Sequence, residues 1–192
     1  MSPLRIVSRL ASAVAATTLL AALPTLAAAQ DSVAAVWVPK HVQFVYQGFT
    51  THYSCDGLQD KIRSMLEKLG AHDLKVRQMG CIRPAGPTLF PGVTVDMSVL
   101  VPASSAEAAK VKNAGSAVQA DWKNAVLMPE NASFDEQGNC ELIEQFKATF
   151  LPLFTTRNVK YGSTCVPHQI TLGTHLSAEV LMPPPKMASS AP

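Results

Sequence analysis

Residues 55–81, CDGLQDKIRSMLEKLGAHDLKVRQMGC, and residues 140–165, CELIEQFKATFLPLFTTRNVKYGSTC, follow one plan. Each runs from one cysteine to the next through a helical pattern and a short strand-like stretch. In the first, Leu58, Ile62, Met65, Leu66 and Leu69 recur at helical spacing, Asp56 and Asp60 lie in the opening turns, and Gly70 supplies a stop. In the second, Leu142, Ile143, Phe146, Phe150 and Phe154 recur likewise, Glu141 and Glu144 come early, and Pro152 bends or ends the helix. Leu74–Arg77 and Asn158–Tyr161 form the return strands. A helix of about 15 residues advances roughly 22 Å, and a strand of about eight residues returns roughly 25 Å, so the second cysteine comes back beside the first. Of the three pairings open to four cysteines, this geometry selects Cys55 with Cys81 and Cys140 with Cys165. The closed loops contain 25 and 24 residues.

The likeness extends outward from these segments. Val93, Val95, Met97, Val99 and Val101 alternate with Thr94, Asp96 and Ser98. Ile170, Leu172, Leu176, Ala178, Val180 and Met182 alternate with Thr171, His175, Ser177 and Glu179. Both stretches read as half-buried strands, and they end alike, in Val99-Leu100-Val101-Pro102 and Val180-Leu181-Met182-Pro183. Trp37 and Trp122 each lie 18 residues before the first cysteine of their half. The first strand reads as His41–Gln47, with Val42, Phe44 and Tyr46 on one face, and its counterpart as Trp122–Met128; these two do not superpose without a gap. The expected fold is α+β, a strand–helix–strand–strand unit used twice. Its two helices cover one face of an antiparallel or mixed sheet of about six strands, a two-layer sandwich with pseudo-twofold symmetry and a disulfide within each unit. Two separate small domains are the alternative, disfavoured because about 60 residues with one helix offer little core. The units span 30–102 and 121–183, with 103–120 read as a linker, although it has room for a short helix around Ala106–Val111, and a disordered tail at 184–192.

Residues 1–29 read as a secretory signal peptide. Arg5 and Arg9 precede an apolar run from Leu10 to Leu23, and Ala27-Ala28-Ala29 puts small residues before a cut at Gln30. The run is shorter than the roughly 20 residues a bilayer span needs, no cysteine lies near the cut, and no Arg-Arg pair is present. Removing these residues takes away two arginines, leaving 14 basic against 14 acidic residues in about 163. A neutral chain without a basic, aromatic-interleaved run has no electrostatic reason to seek nucleic acid or anionic lipid. After Gln30 no apolar segment is long enough for a membrane span. An exported, periplasmic or extracellular protein with two disulfides is the expectation.

Catalytic signatures are scarce. The chain lacks a Gly-x-Ser-x-Gly elbow, a phosphate-cradling glycine loop, a dinucleotide-binding glycine motif, His-Glu-x-x-His and Cys-x-x-Cys. His41, His52, His168 and His175 are candidate metal ligands by type. A cysteine committed to a disulfide is no ligand, however, and His175 alternates onto a polar face, so neither a metal nor a cofactor is expected. Asn131-Ala132-Ser133 fits an N-glycosylation pattern. With the helices on one face, the other presents Thr94, Asp96, Ser98, His175, Ser177 and Glu179, with Lys75 and Arg77 beside them. This open face, with Asp96, His175 and Glu179 as its charged and titratable members, is the candidate binding surface for a protein or envelope partner. An exposed sheet edge that accepts a partner strand is a variant of the same idea. The functional expectation is a non-enzymatic binding or structural protein of the cell envelope; the alternative is a small extracytoplasmic hydrolase whose site is assembled from unlinked residues.

Overall fold

Alternating apolar residues and two cysteine-initiated helical runs generate, among the described residues, six strands and two longer helices. They are β1 (Val33–Val45), α1 (Cys55–Lys68), β2 (His72–Met79), β3 (Gly92–Pro102), β4 (Val118–Met128), α2 (Cys140–Thr149), β5 (Thr156–Gly162) and β6 (His175–Met182), with single 3-10 turns at Ala108–Lys110 and Leu151–Leu153. The structure is a computed structural model that describes residues 32–81, 89–111, 116–133, 136 and 138–184. The leader at 1–29 and all but Pro184 of the expected tail lie outside the described residues. The fold is α+β: one six-stranded antiparallel sheet in the order β2-β3-β1-β4-β6-β5, with two helices and two disulfides. From either edge inward, the order is return strand, last strand of its half, first strand of its half.

Both disulfides pair as the spacing requires. Cys55 bonds Cys81 and Cys140 bonds Cys165, with Cα atoms 6.2 Å and 5.7 Å apart. Each ties the first residue of a helix to the chain just beyond an edge strand. Ser54 caps α1 by accepting from Gly57 N at 3.1 Å. At the other end Gly70, at φ 79°, donates to Glu67 O while Ala71 donates to Leu66 O. That paired closure needs a left-handed residue, which is why glycine stops this helix.

The helices bury one face of the sheet. Leu58, Ile62 and Leu66 of α1 and Leu142, Ile143 and Phe146 of α2 pack with Val93, Val95, Met97, Val99, Leu176, Ala178 and Val180 in a single core. Phe150 joins the halves: its ring centroid lies 5.4 Å from Phe44 of β1 and 4.9 Å from Phe146. One core drawn from both halves makes one folded unit rather than two small domains.

A buried carboxylate fixes the loop after β1. Glu141, 6% exposed, accepts from Phe49 N at 2.8 Å, Thr50 N at 2.9 Å and Thr50 Oγ1 at 3.2 Å. Tyr46 Oη, 3.4 Å from the same carboxylate, donates to Thr51 O at 2.9 Å. Gln145 adds a reciprocal pair with the backbone of Gln47. Burial pushes the Tyr46 and Tyr53 hydroxyls well above the ordinary phenol value, and Glu141 adds to the effect. Gly48 is required here, since a Cβ at that position would fall 1.9 Å from Tyr46 Oη.

Three expectations need correction. β1 begins at Val33, not His41, and runs through Pro39, which pairs with Ser98. Beyond Ala35, β1 has a partner strand on one side only, the setting in which a strand tolerates proline. With this start, the first residues of β1 and β4, Val33 and Val118, stand 85 positions apart, as do Cys55 and Cys140. β6 begins at His175, so Ile170 and Leu172, read as strand residues, are exposed loop residues instead. Gly173 at φ 104° breaks the extended chain, and the 164–172 segment closes on itself through Gln169 N to Val166 O and Thr171 Oγ1 to Thr164 O. β4 begins at Val118, inside the stretch expected as linker, and the expected short helix there is the turn Ala108–Lys110.

Because each disulfide anchors a helix start to an edge strand, replacing Cys140 and Cys165 together by alanine should lower unfolding free energy by about 3 kcal/mol. Chemical denaturation of the oxidised parent and the variant measures this; a loss below about 1 kcal/mol would contradict the anchoring role.

Candidate functional site

The pleat places alternate residues of each strand on the helix-free face. From β3 come Thr94, Asp96, Ser98 and Leu100; from β6, His175, Ser177, Glu179 and Leu181; from β1, Trp37 and His41; from β4, Trp122 and Asn124. Lys75 and Arg77 of β2 stand opposite Asp96 and Thr94, and Arg157 and Lys160 of β5 opposite Glu179 and Ser177. All the residues expected on this face from alternation therefore lie on these strands.

Asp96, His175 and Glu179 do not form one constellation, because β1 and β4 separate β3 from β6. Asp96 sits in a first cluster. Its Oδ1 is 2.6 Å from His41 Nδ1, and Arg77 pairs with Oδ2. The His41 hydrogen bond, with Arg77 and Lys75 close by, holds the carboxyl below its ordinary value. Glu179 sits in a second cluster, where it accepts from Arg157 Nε at 2.6 Å and Asn158 Nδ2 at 3.0 Å. Those bonds, Asn158 first, lower its pKa likewise. His175 belongs to neither cluster. It stands opposite Gly162, where a Cβ would come within 2.4 Å of the imidazole, so glycine there leaves room for the ring.

Sequence reasoning noted the matched spacing of the two tryptophans but put only Trp122 in a strand, and it missed the partners of both. The Trp37 ring lies 4.7 Å from the His72 ring, and the Arg157 guanidinium lies 4.4 Å over the Trp122 ring. Each partner precedes a bulge in an edge strand, and each bulge holds a left-handed residue: Asp73 and Asn158, both at φ 51°. Trp37 faces Leu100 and Trp122 faces Leu181. Between the clusters, Ala35, Leu100, Ala120 and Leu181 are buried, with Val33, Trp37, Val118 and Trp122 packed against them. The sequence held one signal for this arrangement. Trp37 and His72 are 35 residues apart, as are Trp122 and Arg157, and Val33 and Val118, Cys55 and Cys140, and Lys75 and Lys160 each stand 85 positions apart.

Among the described residues, no three His, Cys, Asp or Glu side chains gather as a metal set, and no helix is long and apolar enough to cross a membrane. Candidate ligand His168 instead places its ring 5.4 Å from that of Phe49. A shallow recess of about 310 Å³ includes His41, Lys75, Asp96 and Ser98, and another of about 290 Å³ includes Glu130, Lys160, His175 and Ser177. Comparison with known proteins found no matching family model, no matching curated protein and no matching solved structure.

The lowered carboxyl values fix a sign. A carboxylate depressed in the folded state contributes its stability fully above the unfolded value and loses it as pH falls through the folded one. Side-chain NMR titration should place Asp96 below its ordinary 3.8 and Glu179 below 4.5. His41→Ala should raise the Asp96 midpoint and leave that of Glu179 in place. An unmoved Asp96 midpoint would contradict the assigned hydrogen bond.

Proposed function

We propose that this chain is an exported, non-enzymatic binding protein of the cell envelope, made of two copies of one strand–helix–strand–strand unit. Its helix-free sheet face is the surface that meets a protein or envelope partner. The observation carrying this reading is the paired construction of that face: an aromatic–cation or aromatic–imidazole stack beside a bulged edge strand occurs in each half, in the same register, with an apolar strip between. A fixed offset of 85 residues for β1, the helix start and the return strand, with matching bulges at Asp73 and Asn158, supports duplication. Removal of a leader at 1–29 agrees with two disulfides, which persist in oxidising compartments.

The face suits recognition rather than chemistry. Tryptophans backed by cationic or imidazole side chains give large rigid contact area at low entropic cost, and the flanking carboxylates and guanidinium groups add direction. Addition of a partner strand is less favoured. Edge strands β2 and β5 are both bulged and carry His72, Asp73, Lys75 and Arg77, or Arg157, Asn158 and Lys160, the features with which sheets block edge pairing.

One observation favours the hydrolase alternative. His41 and Asp96 form a close pair in a recess that also includes Ser98, the residue types of a nucleophile–base–orienter set. Against it, Asp96 is shared with Arg77 and the recess is open to water. Ser98→Ala separates the readings: ester hydrolysis lost in this variant would support the enzyme.

Combining Asp96→Lys, His175→Glu and Glu179→Lys should abolish co-purification of envelope partners, with circular dichroism showing that the variant, though less stable for the loss of the His41, Arg77 and Arg157 pairings, is folded at the assay temperature. Unchanged capture by the folded triple variant would remove this face as the binding surface.

A further inference from the structure

Around the end of the molecule marked by the start of α2, where Glu141 holds Phe49 and Cys140 bonds Cys165, three segments present apolar side chains to solvent. Phe49 is 59% exposed, Leu89 74%, Phe90 60% and Leu172 65%, with Val166 and Ile170 also exposed. The segments adjoin. Tyr46 N donates to Pro91 O at 2.9 Å, joining the first to the second, and the Phe49 ring lies 5.4 Å from that of His168, joining the first to the third. Residues 45–54, 89–92 and 163–174 contain no Asp, Glu, Lys or Arg. Exposed apolar groups are common singly, but a contiguous uncharged group of this kind marks an interaction surface.

We propose that this end docks onto a lipid bilayer, inserting Phe49, Leu89, Phe90 and Leu172 into the interfacial region of a neutral leaflet. Three properties favour a bilayer over a protein partner. Exposures of 59–74% describe side chains that project rather than line a groove, and projecting apolar tips enter a fluid medium without needing a matching cavity. Without charge of either sign, the tips carry no desolvation penalty for ions and gain nothing from anionic headgroups. The loops also satisfy polar groups internally. Glu141 holds the amides of Phe49 and Thr50, Gln145 holds Gln47, Thr171 Oγ1 donates to Thr164 O, and Thr164 Oγ1 donates to Leu172 O. A loop whose backbone groups are already paired loses less on leaving water. The Cys140–Cys165 bond and the Glu141 clasp keep the segments in place, so little ordering entropy is lost on docking.

Co-sedimentation of the exported protein with vesicles of phosphatidylcholine, alone and mixed with phosphatidylglycerol, tests this. The expected result is equal binding to both, insensitive to salt. The triple variant Phe49→Ser, Phe90→Ser, Leu172→Ser should bind at least about tenfold more weakly, and Val159→Ser, an exposed apolar change on β5, should bind as the parent does. Circular dichroism checks folding, and if the triple variant fails it, Phe49→Ser and Leu172→Ser are read singly, each with a partial loss. Failure of the parent to bind either vesicle overturns the proposal, as does undiminished binding by the folded variants. Binding confined to anionic vesicles and lost in salt also overturns it, assigning contact to cationic side chains. So does self-association in sedimentation velocity that the variant abolishes without any vesicle binding, which would make a second copy the occupant.

Discussion

Everything in this molecule depends on tying the start of each helix to the far end of an edge strand. Without the Cys55–Cys81 and Cys140–Cys165 bonds, β2 and β5 would be short, polar, bulged strands with a neighbour on one side only. Strands of that kind pair weakly. The bonds hold them beside β3 and β6, and this fixes the layer order: helices over the apolar face, edge strands completing the polar one. The bulges at Asp73 and Asn158 then bring His72 and Arg157 to the tryptophans. A covalent constraint on one face of the sheet thus shapes the surface of the other.

The two halves are not equal in detail, and the differences lie where they join. Glu141 of the second half is consumed in fastening the loop after β1, whereas Asp56, 85 positions earlier, bonds Gln78 at the surface. Asp96 neutralises Lys75 and Arg77, while Ser177 faces Lys160. Under the proposed duplication, one copy has kept an open helix start and the other has become a clasp, a division that binds the halves into one core through Phe44 and Phe150.

What could be read from the sequence was whatever depends on spacing. Cysteine intervals gave the disulfides, helical periodicity gave α1 and α2, and period-two alternation put Thr94, Asp96, Ser98, Ser177 and Glu179 on one face. Features made by tertiary contact were not legible. The first strand reads as starting at His41, because nothing local says that β1 lacks a second neighbour at Pro39 and can run through it, and Ile170 and Leu172 matched the strand period although Gly173 turns the chain before β6. The His72 and Arg157 stacks depend on left-handed Asp73 and Asn158, residue types that reach this conformation without the glycine that would have announced it. The alternation pattern put His175 with Asp96 and Glu179, but says nothing of the strands that lie between.

The account's central claim is that the helix-free face is where this protein meets its partner. The most direct measurement places a photo-reactive amino acid at Ser177 on that face, or at Ser64 on the exposed side of α1, in the protein produced in its own host. Mass spectrometry then identifies the adducts formed on irradiation. The account predicts a discrete partner adduct from position 177 and none from position 64. A discrete adduct from position 64, with none from position 177, would contradict it.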